Sequence, residues 1–325
     1  MPCRDADRKE GKLMTGPVRE TAYAKINLAL DVTGRRPDGY HEVRMVMQTI
    51  DIRDSLELEA DEGTDGIRIQ GSGKLPGGQA LSLGSDNLIW RAAQRIREQC
   101  GIGSGVRIRL EKQIPIAAGM AGGSADAAAT LRGMNRLFEC GLTDVQLREI
   151  GKELGADIPY CISGGTQLAE GIGEKLTLLP EMPELILAVA KPATGVSTRY
   201  VYETLDTIAG WKGEAPAGML IHPDVDAMVR AIRERDRAQI PALLGNVLEA
   251  VTVPACPEVG WIKALFASGG ARGVLMSGSG PTVFGIFETE EDAERAVSLV
   301  RSKELASREE SFVTRTVTPG LSRPS

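Results

Sequence analysis

Three short stretches in the first third of the chain alternate apolar and polar residues: Leu56 and Leu58, Ile67 and Ile69, and Val106, Ile108 and Leu110. Side chains along a strand point to opposite faces in turn, so this period of two predicts half-buried strands. Between residues 86 and 100 the spacing changes. Leu88, Ile89, Ala92, Ala93 and Ile96 recur as on one face of a helix. Residues 71–84, rich in Gly, Ser and Pro, predict a loop.

Two further helices are expected, one over 124–138, Ala-rich at its start, and one entered at Thr143. Thr143 and Gln146 have the spacing of a capping box, in which each side chain satisfies a free backbone N–H. Leu147, Ile150 and Leu154 then line one face, and Gly155 predicts a left-handed C-terminal cap. Asp157 is expected just beyond, in a tight turn closed by Pro159. Residues 164–179 predict a Gly-punctuated strand pair and 185–190 a buried strand. Helices are expected at 224–235, 258–266 and 290–300, with Thr289 and Asp292 as an acidic cap on the last. Strands are expected at 274–276, 283–287 and 312–317. Pro180 and Pro183, among charges, suggest a boundary near 179–184.

A chain of 325 residues can build about two domains with real cores. Apolar residues at 42 % argue for a folded protein. A net charge of −6 argues against non-specific binding to nucleic acid or an anionic membrane, while leaving room for a local basic pocket. Cys3, Cys100, Cys140, Cys161 and Cys256 are scattered and form no CxxC pair. Reduced thiols in a cytoplasmic protein are therefore expected, rather than a disulfide framework or a zinc site. The polar N-terminus lacks the apolar segment of a signal peptide, and residues 1–18 read as a flexible extension. No apolar run approaches the roughly 20 residues that span a bilayer.

The strongest candidate chemistry is Pro115-Ile116-Ala117-Ala118-Gly119-Met120-Ala121-Gly122-Gly123-Ser124-Ala125. Glycines here let backbone N–H groups approach a ligand, and a helix starting at Ser124 offers free N–H groups and the positive end of its dipole. Strand, Gly-rich loop and small-residue helix together favour a phosphate site over plain capping. Ser124 is open to capping the helix, binding phosphate or contacting Mg²⁺. The segment is neither a Walker A loop nor a dinucleotide fingerprint. Lys25 interrupts an apolar strand over 24–30; it is either buried and paired or on the outer face of an edge strand. Asp157 is a candidate general base or an ordinary turn-former; paired with Lys25, the catalytic reading gains weight. Tyr40 and His41 follow a Gly turn where both rings can reach a ligand, and a structural role for His41 is equally open. Gly278 and Gly280 sit in a turn between two strands, either a simple hairpin or a second backbone cradle. His222 is given no role.

Taken together, residues 24–30, 115–125 and 276–280 resemble, in order, the three motifs of the galactokinase, homoserine kinase, mevalonate kinase and phosphomevalonate kinase (GHMP) family. The likeness spans most of 20–318. Within that family AKINLALDVTGRRPDGYHEV (24–43), LGADIPYCISGGTQLAEGIGE (154–174) and GVSTRYVYETLD (195–206) look like the branch that phosphorylates a cytidine-diphosphate-bearing polyol in the non-mevalonate isoprenoid pathway.

The resemblance implies an α+β fold with a ribosomal-S5-like domain over 19–180 and a ferredoxin-like domain over 181–325. The last strand is open to returning to the first domain, and the active site would lie in the cleft between the two. It implies Lys25 and Asp157 as the catalytic pair, and 115–125 as the ATP-phosphate loop. Asn27, Tyr40 and His41 would hold the cytidyl substrate, with Tyr202 stacking on cytosine. ATP would be the co-substrate with Mg²⁺, whose ligands stay unassigned. A monomer or homodimer is expected, without nucleic acid or membrane. Ala117, Ala118 and Ala121 stand where relatives often carry glycine, which limits the loop's backbone freedom. Three rival readings are a sister kinase for another small alcohol, a catalytically dead sensor and an RNA-binding module. They are disfavoured respectively by Tyr40-His41 with 195–206, by retention of Lys25 and Asp157, and by the acidic charge.

Overall fold

The computed structural model describes residues 16–72, 82–211 and 220–319. In chain order its first half runs β1 (Val18–Arg35), β2 (His41–Asp61), β3 (Ile67–Ser72), α1 (Leu88–Cys100), β4 (Gly105–Glu111), α2 (Gly122–Leu137), α3 (Asp144–Leu154), α4 (Ile158–Ser163), β5 (Thr166–Gly171) and β6 (Lys175–Leu178). The second half runs β7 (Ile186–Ala190), α5 (Thr198–Ile208), α6 (Val225–Arg233), β8 (Gly245–Asn246), α7 (Glu249–Ala255), α8 (Pro257–Ser268), β9 (Gly273–Met276), β10 (Val283–Phe287), α9 (Glu290–Ser302) and β11 (Ser311–Arg315). The architecture is α+β, as expected.

The strands form two sheets. One has the order β3-β4-β2-β1-β8, and β5 and β6 extend it from β2. The long β2 pairs with β4 through residues 55–61 and with β5 through residues 43–48. The second sheet, β11-β7-β10-β9, is antiparallel throughout. The second half of the chain is stitched to the first sheet twice. From the second half, β8 runs parallel to β1 at Ala29 and Leu30. Beyond β11, Thr316 bridges Ile50 and the Val317 N–H donates to the Thr49 carbonyl.

β1 explains why its pattern was ambiguous. Burial alternates from Val18 to Tyr23 and then becomes continuous from Ala24 to Leu30, because the strand is covered on both faces there. Register shifts against β2 occur between Tyr23 and Lys25 and between Asn27 and Ala29. Such irregularities re-aim side chains. The segment between them sends Lys25 and Asn27 to one face and Ile26 to the other. Lys25 is buried, which excludes the exposed-edge alternative.

Several boundaries differ from expectation. The extension expected over 1–18 lies outside the described residues except at its end, where Val18 already opens β1. Most of the loop expected over 71–84 also lies outside them, but Gly71 and Ser72 finish β3. The capping box at Thr143 and Gln146 forms, and Thr289 and Asp224 cap α9 and α6. Gly155 is extended at φ 177° rather than left-handed. The carbonyl of Gly155 accepts from the Ile158 N–H and so starts the next helical turn. Pro159 accordingly opens α4 instead of closing a turn, a position where its missing N–H costs nothing. The helix expected from Ser124 begins two residues earlier, at Gly122.

Candidate active site

A cavity of about 580 Å³ lies where β1, the β1–β2 turn, the loop before α2, the start of α4, α5 and the β9–β10 turn converge. Of the phosphate-loop candidates, Ala117, Ala118, Gly119, Ala121, Gly122, Gly123 and Ser124 line it. Pro115, Ile116, Met120 and Ala125 do not; Met120 and Ala125 are packed in the core behind the loop. α2 enters on Ala121, whose side chain cannot cap. The first-turn N–H groups of α2 thus remain without a side-chain partner, facing the cavity with the positive end of the helix dipole. Ser124 is inside the first turn and is not its cap.

The loop holds strained backbone. Ala117 and Ala121 take φ of 51° and 58°, left-handed values that cost an L-residue about 1–2 kcal/mol each. The alanines at these two positions are therefore tolerated at a cost, whereas Ala118 shows no such angle.

Lys25 and Asp157 meet at the cavity wall. Lys25 Nζ lies 3.8 Å from Asp157 Oδ2 and donates to Asn27 Oδ1 at 2.8 Å. The Lys25 side chain is 5 % exposed and that of Asp157 32 %. Asp157 is the N-cap residue of α4, yet its carboxylate makes no capping bond. Its oxygens are left to the ammonium and to the cavity. Asn27 is fully buried behind Lys25; its Nδ2 donates to Met45 Sδ at 3.2 Å, and it does not line the cavity. Its place is that of an orienting group for the lysine.

Tyr40, His41 and Tyr202 line the same cavity. Tyr40 is 60 % exposed. The His41 and Tyr202 rings lie 4.8 Å apart, centroid to centroid, at 41°. Burial pushes the Tyr202 phenol up, with the Asp157 charge adding to it, so the hydroxyl stays protonated. Of the second glycine turn, Gly278 and Ser279 reach the cavity, while Gly280 does not. Gly280 sits against Met276 and Thr252, with no room for a side chain.

Several contacts that shape the site carried no sequence signal. Asn246 Nδ2 donates to the carbonyls of Met276 and Gly278, holding the second turn to the end of β8. Thr198 and Ser279 hydroxyls meet at 2.8 Å across the cavity. Beneath the loop before α2, buried Lys112 donates from Nζ to Asp54 at 2.5 Å and to Asp126 at 2.8 Å. That ammonium is 3.1 Å from where a Cβ on Gly122 would stand. Burial presses the Lys112 pKa down, but the two carboxylates outweigh it and raise it. Each of these contacts joins segments far apart in sequence. Only an acidic residue four positions into a glycine-opened helix, Asp126, hints at one of them.

Among the described residues no cluster of three or more His, Cys, Asp or Glu side chains is placed to cage a metal ion. The oxygen donors facing the cavity near the loop include Ser124 and Asp157. That set fits a hard cation carried in on phosphate oxygens, which needs one or two protein donors. No helix among the described residues is long and apolar enough to cross a membrane.

Comparison with known proteins agrees with this geometry. The family model for the GHMP kinases N terminal domain matches residues 87–165, and that for GHMP kinases C terminal matches 228–304. A 4-diphosphocytidyl-2-C-methyl-D-erythritol kinase of Exiguobacterium sibiricum is 49 % identical over 282 residues, 86 % of this chain and 92 % of that relative. One from Lachnospira eligens is 44 % identical over 303 residues, 93 % of this chain and 99 % of the other. A crystal structure of 4-(cytidine 5'-diphospho)-2C-methyl-D-erythritol kinase superposes with a TM-score of 0.74 at 32 % identity, covering 92 % of this chain and 99 % of that one. Mevalonate kinase of L. major, at 17 % identity and a TM-score of 0.74 over 95 % of this chain and 99 % of its own, shares the fold. The chain belongs to the GHMP kinases, and within them to the family of the 4-diphosphocytidyl-2-C-methyl-D-erythritol kinases.

Proposed function

We propose that this protein transfers the γ-phosphoryl group of ATP to the 2-hydroxyl of 4-diphosphocytidyl-2-C-methyl-D-erythritol, releasing ADP and the 2-phosphate. The observation that carries the reading is the Lys25–Asp157 pair, 3.8 Å apart, in one cavity with the open first turn of α2. Tyr40, His41 and Tyr202 in the same cavity supply the aromatic surface a pyrimidine base needs. The activity for which relatives at 44–49 % identity are named supports the same substrate.

In this mechanism the backbone N–H groups of residues 122–124 and the dipole of α2 bind the triphosphate. Asp157 accepts the hydroxyl proton as the oxygen attacks. Lys25, fixed by Asn27, steadies the carboxylate and the alkoxide charge that develops on the nucleophile. Gly278 and Ser279 close the cavity above the phosphates. Phosphoryl transfer asks chiefly for alignment and electrostatics, so these groups suffice on the protein's side. Mg²⁺, held by the nucleotide's phosphates with Ser124 as a protein oxygen donor, would neutralise phosphate charge. We place the reaction in the cytoplasm, in a monomer or homodimer that engages neither nucleic acid nor membrane; the net charge of −6 supports the last point alone.

The test is turnover by the purified protein with ATP and a panel of alcohols, read by ADP release and by phosphorus NMR of the product. One ADP per cytidyl substrate consumed, with homoserine and mevalonate left untouched, is the expected result. Comparable turnover of either of those alcohols overturns the assignment.

A further inference from the structure

The β1–β2 turn and α5 are joined by one buried carboxylate. Arg35 and His41 are cross-strand partners that flank the turn. Both bind Asp206, which comes from α5 165 residues after His41: His41 Nε2 meets Oδ1 at 2.5 Å and Arg35 Nε meets Oδ2 at 3.3 Å. The Asp206 side chain is 2 % exposed. Tyr202 lies four residues before Asp206, on the same face of α5. One helical turn thus puts a ring against the His41 imidazole and a carboxylate on its Nε2.

We infer that Asp206 is a positioning residue that fixes the tautomer of His41 and, through it, the choice of base in the substrate. A carboxylate only accepts hydrogen bonds, so the proton of the uncharged ring is held on Nε2. Nδ1, which has no hydrogen bond among the described residues, is then an acceptor in a cavity-lining ring. An acceptor there suits the 4-amino group of a cytosine and repels the 4-carbonyl of a uracil. Arg35 shares the carboxylate charge and keeps the second oxygen in place, so the clamp also holds the turn that carries Tyr40 against α5. The base assignment rests on the proposed substrate, whereas the tautomer does not.

Two measurements test this. The first needs no substrate: the ¹⁵N shifts of the imidazole in the intact protein. With only two histidines in the chain, a His222→Gln variant identifies the His41 signals. A protonated Nε2 and bare Nδ1 are expected; a proton resident on Nδ1 overturns the inference, whatever the enzyme phosphorylates. The second is kinetic. Asp206→Asn is expected to raise KM for the cytidyl substrate about tenfold or more, with kcat and KM for ATP within about twofold. Its preference for the cytidyl over the corresponding uridyl substrate should fall. An unchanged preference, or a parallel rise in KM for ATP, reduces Asp206 to a structural contact and overturns the inference. If the wild-type protein phosphorylates neither nucleotide substrate, the proposed function fails and the imidazole spectrum alone decides on Asp206.

Discussion

Gly119 and Ser277 press the two glycine-rich turns into each other: the Ser277 hydroxyl donates to the Gly119 carbonyl at 3.1 Å, and a Cβ on Gly119 would stand 2.4 Å from the Ser277 carbonyl oxygen. The same hydroxyl accepts from the Asn27 N–H, so the contact reaches the strand that carries Lys25. At a φ of 69° Gly119 is also in the left-handed region. Gly119→Ala should part the turns, raising KM for ATP and lowering unfolding free energy by about 1–3 kcal/mol. Nucleotide titration and chemical denaturation of the variant measure both, and unchanged values would mean that the turns do not depend on this approach.

Asp157 is expected to act on the chemical step more than on binding. Replacing it with Asn keeps its size and removes its basicity. Asp157→Asn should lower kcat by about 10²–10⁴-fold with modest change in either KM. Turnover close to wild type would remove the residue from the base role.

Tyr202 should matter to one substrate only. Base stacking on an aromatic ring is worth about 1–3 kcal/mol, so Tyr202→Ala should raise KM for the cytidyl substrate about 5- to 150-fold. KM for ATP should hold. Equal rises in both would count against a stacking role.

Asp126 is expected to give the floor of the loop before α2 a pH dependence. Burial raises its carboxyl most; the Lys112 ammonium opposes this and the Asp54 charge adds to it, leaving the carboxyl pushed up to about 8 from an ordinary 3.8. A carboxyl that holds its proton more tightly folded than unfolded stabilises the fold fully below the unfolded value. That contribution fades as pH rises toward the folded value. Asp126→Asn cannot ionise and should lack this slope. Its melting temperature relative to wild type should become more positive from about pH 5 to about pH 8. A difference that stays constant over that interval contradicts the raised carboxyl.

The sequence was most informative where structure is local. The Thr143–Gln146 box, the Thr289 cap and the alternation over 105–111 depend on neighbours a few positions away, and the matching helices and strand form. It was less informative where a bulge or a distant partner decides. The parity of Lys25 depends on register shifts set by pairing with β2, which no pattern within 24–30 records. Gly155 was assigned a left-handed turn because helices often end so, but the α4 turn that follows needs it extended. For the site, the motifs marked Lys25, Asp157 and the loop before α2. Asn246 went unmarked, and Asp206 and Ser277 stood inside quoted segments without a role of their own, because an aspartate, an asparagine or a serine acquires its partner only once the chain has closed.

The two residues of β8 have a consequence for how the protein is made. They cover the outer side of β1 at Ala29 and Leu30, immediately beyond Lys25 and Asn27. A nascent chain that has emerged only as far as Leu179 holds every other strand of that sheet but leaves these two positions as an unpaired edge, open to pairing with another molecule. The strand that carries Lys25 is therefore finished by a segment synthesised more than two hundred residues later, and the first half cannot complete its own sheet while it waits on the ribosome.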